Sequence, residues 1–415
     1  MITLLVNGLF LIFANSGLVL AATDVSGIIS SDTTWTKASS PYSLVGNVLV
    51  GNGATLTIEA GATINLNDYY IMVNGTLRAQ GSETEQIQFN SGEISFTHHS
   101  SDWDEQTGTG CIIENANLDT TFLDIASVSV KVSKSTVNAE IFGLGQSVIV
   151  DNTINGKVSG KVVTNNTITG DVDGKTVVNN RITGTVYGTV ISNNTITGGE
   201  VSAAATTEGT VVSNNTIMDC DVGISCIGYS VISGNTISGC GVGIETYVVQ
   251  MVGGTRVAYP LIERNLITNN TRGITIVLRS RFEPGTLVPT IQNNTIAHNS
   301  VGLYLYITNY GATPPIIYNN IHGNSDYNIQ LDAETDKHIN ATYNWWGTTD
   351  TQAINQTIYD YKNDFTLGTV TFEPFLTEPN PEEMATPIPE FPSWLLLPLF
   401  LTATALVILY KRRLK

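Results

Sequence analysis

The stretch that decides the fold is Ser213-Asn214-Asn215-Thr216-Ile217-Met218-Asp219-Cys220-Asp221-Val222-Gly223-Ile224. Twenty residues on, it returns as Ser233-Gly234-Asn235-Thr236-Ile237-Ser238-Gly239-Cys240-Gly241-Val242-Gly243-Ile244. Its kernel, Asn-x-Ile, recurs at Asn152, Asn166, Asn180, Asn194, Asn215, Asn235, Asn265 and Asn294, with a weaker copy at Asn320. Spacings of 14, 14, 14, 21, 20, 30, 29 and 26 residues describe one unit whose returning segment varies in length. Self-similarity of this size marks a solenoid, because each unit can bury its apolar face only against its neighbours.

Parity inside the unit locates a bend. Three residues before the repeated Asn stand Val163, Val177, Ile191, Val212, Ile232, Ile262, Ile291 and Ile317, and two after it stands Ile. Apolar positions five apart cannot share one face of a strand whose side chains alternate with period two, so the chain turns at the Asn. Stacked coils bring these Asn side chains into register about 4.8 Å apart, where each amide can donate to the next as an internal ladder. A second marker lies eight residues after the Asn, at Gly223, Gly243, Gly273 and Gly302, then Asn328. Asn in place of Gly predicts a left-handed backbone there. The next residue (Ile224, Ile244, Ile274, Leu303, Ile329) opens an alternating strand. The 14-residue coils enclose little cross-section and should be thin.

Composition agrees: 38 Gly and many Asn, Thr, Ser and Val favour strands broken by turns, so the class is all-β. Only 13% of the 415 residues are charged, with a net charge of −17. Lys411, Arg412, Arg413 and Lys415 stand in the last five positions, leaving 15 basic residues against 36 acids before them. Nucleic acid is excluded as a partner, since phosphate binding needs clustered Lys and Arg. Cys111, Cys220, Cys226 and Cys240 are too few and too irregular for a disulfide scaffold or a zinc cluster.

The ends set the compartment. Residues 1–22 read as a signal peptide, apolar and ending in Leu20-Ala21-Ala22. Residues 23–110 form an amino-terminal cap and the first coils, 111–344 the repeats and 345–376 a carboxy-terminal cap. Residues 377–391 are a Pro- and Glu-rich linker with the start of a sorting motif, and 392–415 an anchor with a basic tail. Trp394 to Tyr410 holds no charge and approaches the length that spans a bilayer, and the Lys-Arg-Arg after it places the tail inside the cell and the body outside.

Val73-Asn74-Gly75-Thr76-Leu77, the Asn-Asn-Thr-Ile repeats and the Gly-Ile step resemble the pectin-lyase-like superfamily, in particular the branch resembling the nitrous oxide reductase maturation β-helix protein. The resemblance covers roughly residues 24–376 and implies a right-handed parallel β-helix. Pro389-Glu390-Phe391-Pro392-Ser393 before the apolar span resembles an archaeal sorting signal of the PEF type, implying cell-surface anchoring. The superfamily holds lyases, hydrolases, epimerases and binding proteins, so function must come from a site.

Extra residues at Val248–Pro260, Ser280–Pro289 and Thr308–Pro315 predict a wall beside the strand after each Gly-Ile step. Alternation points outward Ser225, Ile227 and Tyr229; Glu245, Tyr247 and Val249; Thr275, Val277 and Arg279; Tyr304, Tyr306 and Thr308; Gln330, Asp332 and Glu334. Tyr rings suit sugar C–H faces and carboxylates suit hydroxyls, so Glu245, Tyr247, Arg279, Tyr304, Tyr306 and Asp332 are the expected ligand contacts; the alternative is a solvated face with stacked aromatics. A catalytic site would draw on Asp332, Glu334 and Arg279. No cofactor is expected, Ca²⁺ being the one metal a polyuronate lyase site would add. The expectation is a non-catalytic surface protein binding extracellular glycans or surface proteins, with a polysaccharide lyase, hydrolase or epimerase as the alternative.

Three smaller features complete the reading. His98-His99 followed by Asp102, Trp103, Asp104 and Glu105 reads as a projecting loop, because adjacent His on a strand face apart. Cys220 and Cys240, each five residues after a repeated Asn, should be stacked neighbours, as a disulfide or as buried thiols. Eight glycosylation sequons begin at Asn74, Asn165, Asn193, Asn214, Asn269, Asn293, Asn340 and Asn355, and the residue before the ladder Asn should point outward.

Overall fold

A computed structural model describes residues 21–143, 146–203, 209–226, 228–247, 260–278, 289–307, 313–332 and 334–381. Strand after strand pairs in parallel with its counterpart one coil away, giving a parallel β-helix of three sheets. In the long coils, sheet 1 is built from Thr210–Ser213, Ser230–Ser233, Leu261–Glu263 and Thr290–Gln292. Sheet 2 follows the Asn corner with Thr216–Met218, Thr236–Ser238, Leu266–Thr268 and Thr295–Ala297. Sheet 3 closes the triangle with Val222–Cys226, Val242–Tyr247, Arg272–Leu278, Val301–Ile307 and Tyr327–Leu331. In the 14-residue coils one strand, such as Val158–Thr164 or Val172–Val178, serves sheets 3 and 1 in turn, which removes a corner and thins the body.

Identical positions stack on identical positions. Ile232, Ile262, Ile291 and Ile316 line the interior of sheet 1, and Ile237, Ile267, Ile296 and Ile321 that of sheet 2, all fully buried. A buried Ile is worth roughly 1.5–3 kcal/mol relative to an exposed one, so the core is a sum of similar rungs.

The ladder runs through Asn152, Asn166, Asn180, Asn194, Asn215, Asn235, Asn265, Asn294, Asn319 and Asn344. Each Oδ1 from Asn166 onward accepts the backbone N–H of the Asn one coil earlier at 2.8–3.0 Å. The last full copy therefore sits at Asn319, not Asn320, with Ile316 rather than Ile317 inside. Asn320 lies one place further on, opposite Thr295. The residue before each ladder Asn carries the bend: Asp151, Asn165, Asn179, Asn193, Asn214, Arg264, Asn293, Tyr318 and Tyr343 have φ of 54–60°. A second corner repeats the device five residues on. There Asn270, Asn299 and Asn324 form their own ladder, and Cys240 donates its N–H to Asn270 Oδ1 at 2.9 Å.

The Gly of the Gly-Ile step is not left-handed, contrary to the expectation drawn from Asn328. Its reason is close approach: a Cβ on Gly243 would lie 2.6 Å from Gly273 O and 2.8 Å from Ile267 Cγ2. Any side chain there would enter the neighbouring coil.

Cys220 and Cys240 are joined as a disulfide with Cα atoms 4.6 Å apart, one rung in place of an Asn pair. After Asn344 the chain forms the short helix Thr351–Gln356, capped by Asp350 Oδ1 accepting from Gln352 and Ala353 N–H. The segment beyond it returns along the first corner, where Asn380 N–H donates to Asn320 Oδ1 at 2.8 Å. Among the described residues no helix is long and apolar enough to cross a membrane. Pro389, Glu390, Phe391, Pro392, Ser393 and the apolar span lie outside the described residues, as do residues 1–20.

Candidate functional site

Sheet 3 turns every second position outward as alternation requires. The register runs Ser202, Ser225, Glu245, Thr275, Tyr304, Gln330 and Tyr359, one residue per coil along the axis. Beside this row lies a second, in which Tyr247 pairs with Val277 and Val277 with Tyr306. The inward partners Ile224, Ile244, Ile274, Leu303 and Ile329 are fully buried and hold the strand flat. Outward side chains are therefore fixed in direction by the core behind them.

Thr275 stands at the centre of the row. Although it faces outward it is only 2% exposed, and its hydroxyl is buried with no hydrogen-bond partner. An orphaned buried hydroxyl costs about 1–3 kcal/mol, and Asn117 Oδ1, Thr120 Oγ1, Ser133 Oγ and Trp346 Nε1 are buried in the same way elsewhere. One rung away, Tyr304 is covered by Arg272, whose Cζ lies 3.9 Å from the ring centroid. The Tyr304 hydroxyl donates to Asp332 Oδ2, and Tyr306 donates to Glu334 Oε2. Burial first, then the Asp332 hydrogen bond and charge, hold the Tyr304 phenol above its ordinary value, so it remains a donor.

On the other side of Thr275 stand Glu245 and, two coils back, Glu200. Glu200 is hydrogen-bonded through its side chain to Ser225, and Ser225 pairs with Glu245. Burial, followed by the Glu245 charge, raises the Glu200 carboxyl above the usual carboxylate range.

The expected residues are thus brought partly together. Glu245 and Tyr304 flank Thr275. Glu245 is three rungs from Gln330 and hence from Asp332 beyond it, roughly 14 Å along the axis at the spacing of paired strands. That separation exceeds the roughly 5–9.5 Å at which two carboxylates work across a glycosidic bond. Asp332 and Glu334 are each occupied by a tyrosine hydroxyl. Arg279, the Tyr247 side chain and most of the predicted wall, namely residues 248–259, 280–288 and 308–312, lie outside the described residues. His98 and His99 do lie in a loop, but their rings touch, with centroids 3.9 Å apart, because no strand separates them. Among the described residues no three His, Cys, Asp or Glu are grouped to hold a metal.

Two members of the site escaped the sequence. Arg272 shares the parity of the inward Ile274, yet it opens the strand, and its guanidinium lies over the Tyr304 ring of the next coil. Glu200 lies just before the strand Val201–Ala203, two residues from outward Ser202; that parity was its one signal.

The fold and its outward row define a parallel β-helix. Residues 187–358 match the family model described as Right handed beta helix region, which spans the long coils and the site. No curated protein and no solved structure matches the chain.

Proposed function

We propose that sheet 3 is a carbohydrate-binding face on a protein displayed outside the cell membrane by its carboxy-terminal anchor, without catalysis. The half-exposed Tyr304 ring with Arg272 across it carries this reading. With the half-exposed acid Glu245 on the far side of Thr275, it offers the mixture of acceptors, donors and ring surface that sugar hydroxyls and C–H groups use. The Cys220–Cys240 disulfide suits an oxidising compartment and supports export. Surface proteins of the envelope are the other partners compatible with such a face.

One observation favours a second reading, a polysaccharide hydrolase: Glu200, raised by burial, beside Glu245 resembles an acid paired with a carboxylate. Glycan-array binding together with reducing-end and unsaturated-uronate assays separates the two. Binding lost in Tyr304→Ala without turnover in the wild type supports the display reading. Turnover that vanishes in Glu200→Gln would establish the enzyme instead.

A further inference from the structure

Five sequons test what the corners do, because they share a sequence and differ in surroundings. Asn165, Asn193 and Asn214 occupy the same left-handed corner position, with φ of 56–57°, and are exposed. Their side-chain nitrogens make no hydrogen bond among the described residues; the one contact, Thr164 Oγ1 to Asn165 Oδ1 at 3.5 Å, leaves the nitrogen free. The following residue in each sequon, Asn166, Asn194 or Asn215, is locked in the ladder, and the Thr beyond it faces outward from sheet 2. Asn214 has most room, since the next rung is Gly234, where a Cβ would lie 2.5 Å from Asn214 Oδ1.

Asn293 has the same corner geometry but is covered. Asn380 Nδ2 donates to Asn293 Oδ1 at 3.0 Å and also to Tyr318 O, laying the returning carboxy-terminal segment across it. Asn74 is half-buried, unlike the three exposed corner sites, and Thr97 holds it in place by donating its hydroxyl to Asn74 Oδ1 at 2.8 Å.

We propose that the first corner is a glycan-bearing edge: Asn165, Asn193 and Asn214 accept N-linked oligosaccharide on the folded chain, while Asn74 and Asn293 do not. In the transfer, Asn Nδ2 forms a bond to the sugar C1, the C1–O bond to a polyprenyl-phosphate carrier breaks, and the amide proton leaves with the departing phosphate after uptake by a base. Asn193 and Asn214 are one rung apart, about 5 Å, so a glycan on one crowds the other; Asn165 is two rungs from Asn193, about 10 Å. Arg181 in place of Thr removes the sequon on the rung between them. The edge lies between sheets 1 and 2, the corner opposite sheet 3, so sugar here would solvate a weakly charged surface and leave the outward row of sheet 3 bare. What sheet 3 binds has no bearing on this inference.

The test incubates the folded full chain with an oligosaccharyltransferase and a polyprenyl-linked oligosaccharide, reading each site by mass spectrometry. Synthetic peptides spanning the five sequons, all expected to be modified, normalise the occupancies. Combined occupancy at Asn165, Asn193 and Asn214 should exceed that at Asn74 or Asn293 by at least about tenfold, because the latter two require local opening. In Asn380→Ala, Asn293 should rise toward the corner sites. A smaller ratio, no modification at the corner, or an Asn293 that stays blocked in Asn380→Ala would overturn the proposal.

Discussion

Asn235 is 1% exposed and meets every hydrogen-bonding demand of its corner. Its Oδ1 accepts from Asn215 N and Nδ2, and its Nδ2 donates to Val212 O, Ser233 O and Asn265 Oδ1. Only an amide both donates and accepts with this shape, which is why the ladder could be read from residue types alone. Asn235→Ala would strand several buried groups and should lower stability by about 3 kcal/mol in urea unfolding. Asn235→Asp should be no better, since it keeps the acceptor but loses the donors and buries charge. The misplacement of Asn320 has an equally local cause: counting eight residues back from Asn328 reaches Asn320, whereas Asn319 is the amide with Ile321 two residues after it and Ile316 three before. Cys226 is a further residue whose behaviour follows from burial, which pushes its thiol up to about 12. It should resist alkylation in the folded chain at about pH 8, where an ordinary thiol is partly ionised, and react on unfolding.

Between single residues and the whole body lies the coil, the unit in which sheet 3 and its corners are built. Alternation made the outward row of sheet 3 legible, from Ser225 through Gln330, because parity holds within a strand. It failed at Arg272, the first residue of its strand, and at Glu200, which precedes one. Glu200 also gives the coil a pH dependence. Its carboxyl is raised in the fold, so the folded state favours the protonated form, and stability falls as pH rises from its ordinary value, near 4.5, through the folded one. Glu200→Gln should therefore melt higher than the wild type at about pH 7, with the gap closing by about pH 4. The Cys220–Cys240 rung closes a 20-residue separation, and its reduction should cost about 3 kcal/mol while leaving the Asn ladders intact.

At the scale of the molecule, the repeats stack into one body whose three sides are chemically different. Sheets 1 and 2 meet at a corner of left-handed Asn, and sheet 3 carries aromatic, acidic and hydroxyl groups in register. The periodicity fixed this architecture well, because every coil obeys the same packing rule. The site was less legible because its key pairing, Arg272 across the Tyr304 ring, joins residues of neighbouring coils and depends on their packing. That pairing gives the most direct test, the affinity of Tyr304→Ala for whichever glycan the wild type binds on an array, measured alongside the urea midpoint. Removing the ring should weaken glycan binding by about tenfold or more, as loss of an aromatic contact of about 1.5 kcal/mol requires. Unchanged affinity in the folded variant would contradict a carbohydrate site at Tyr304.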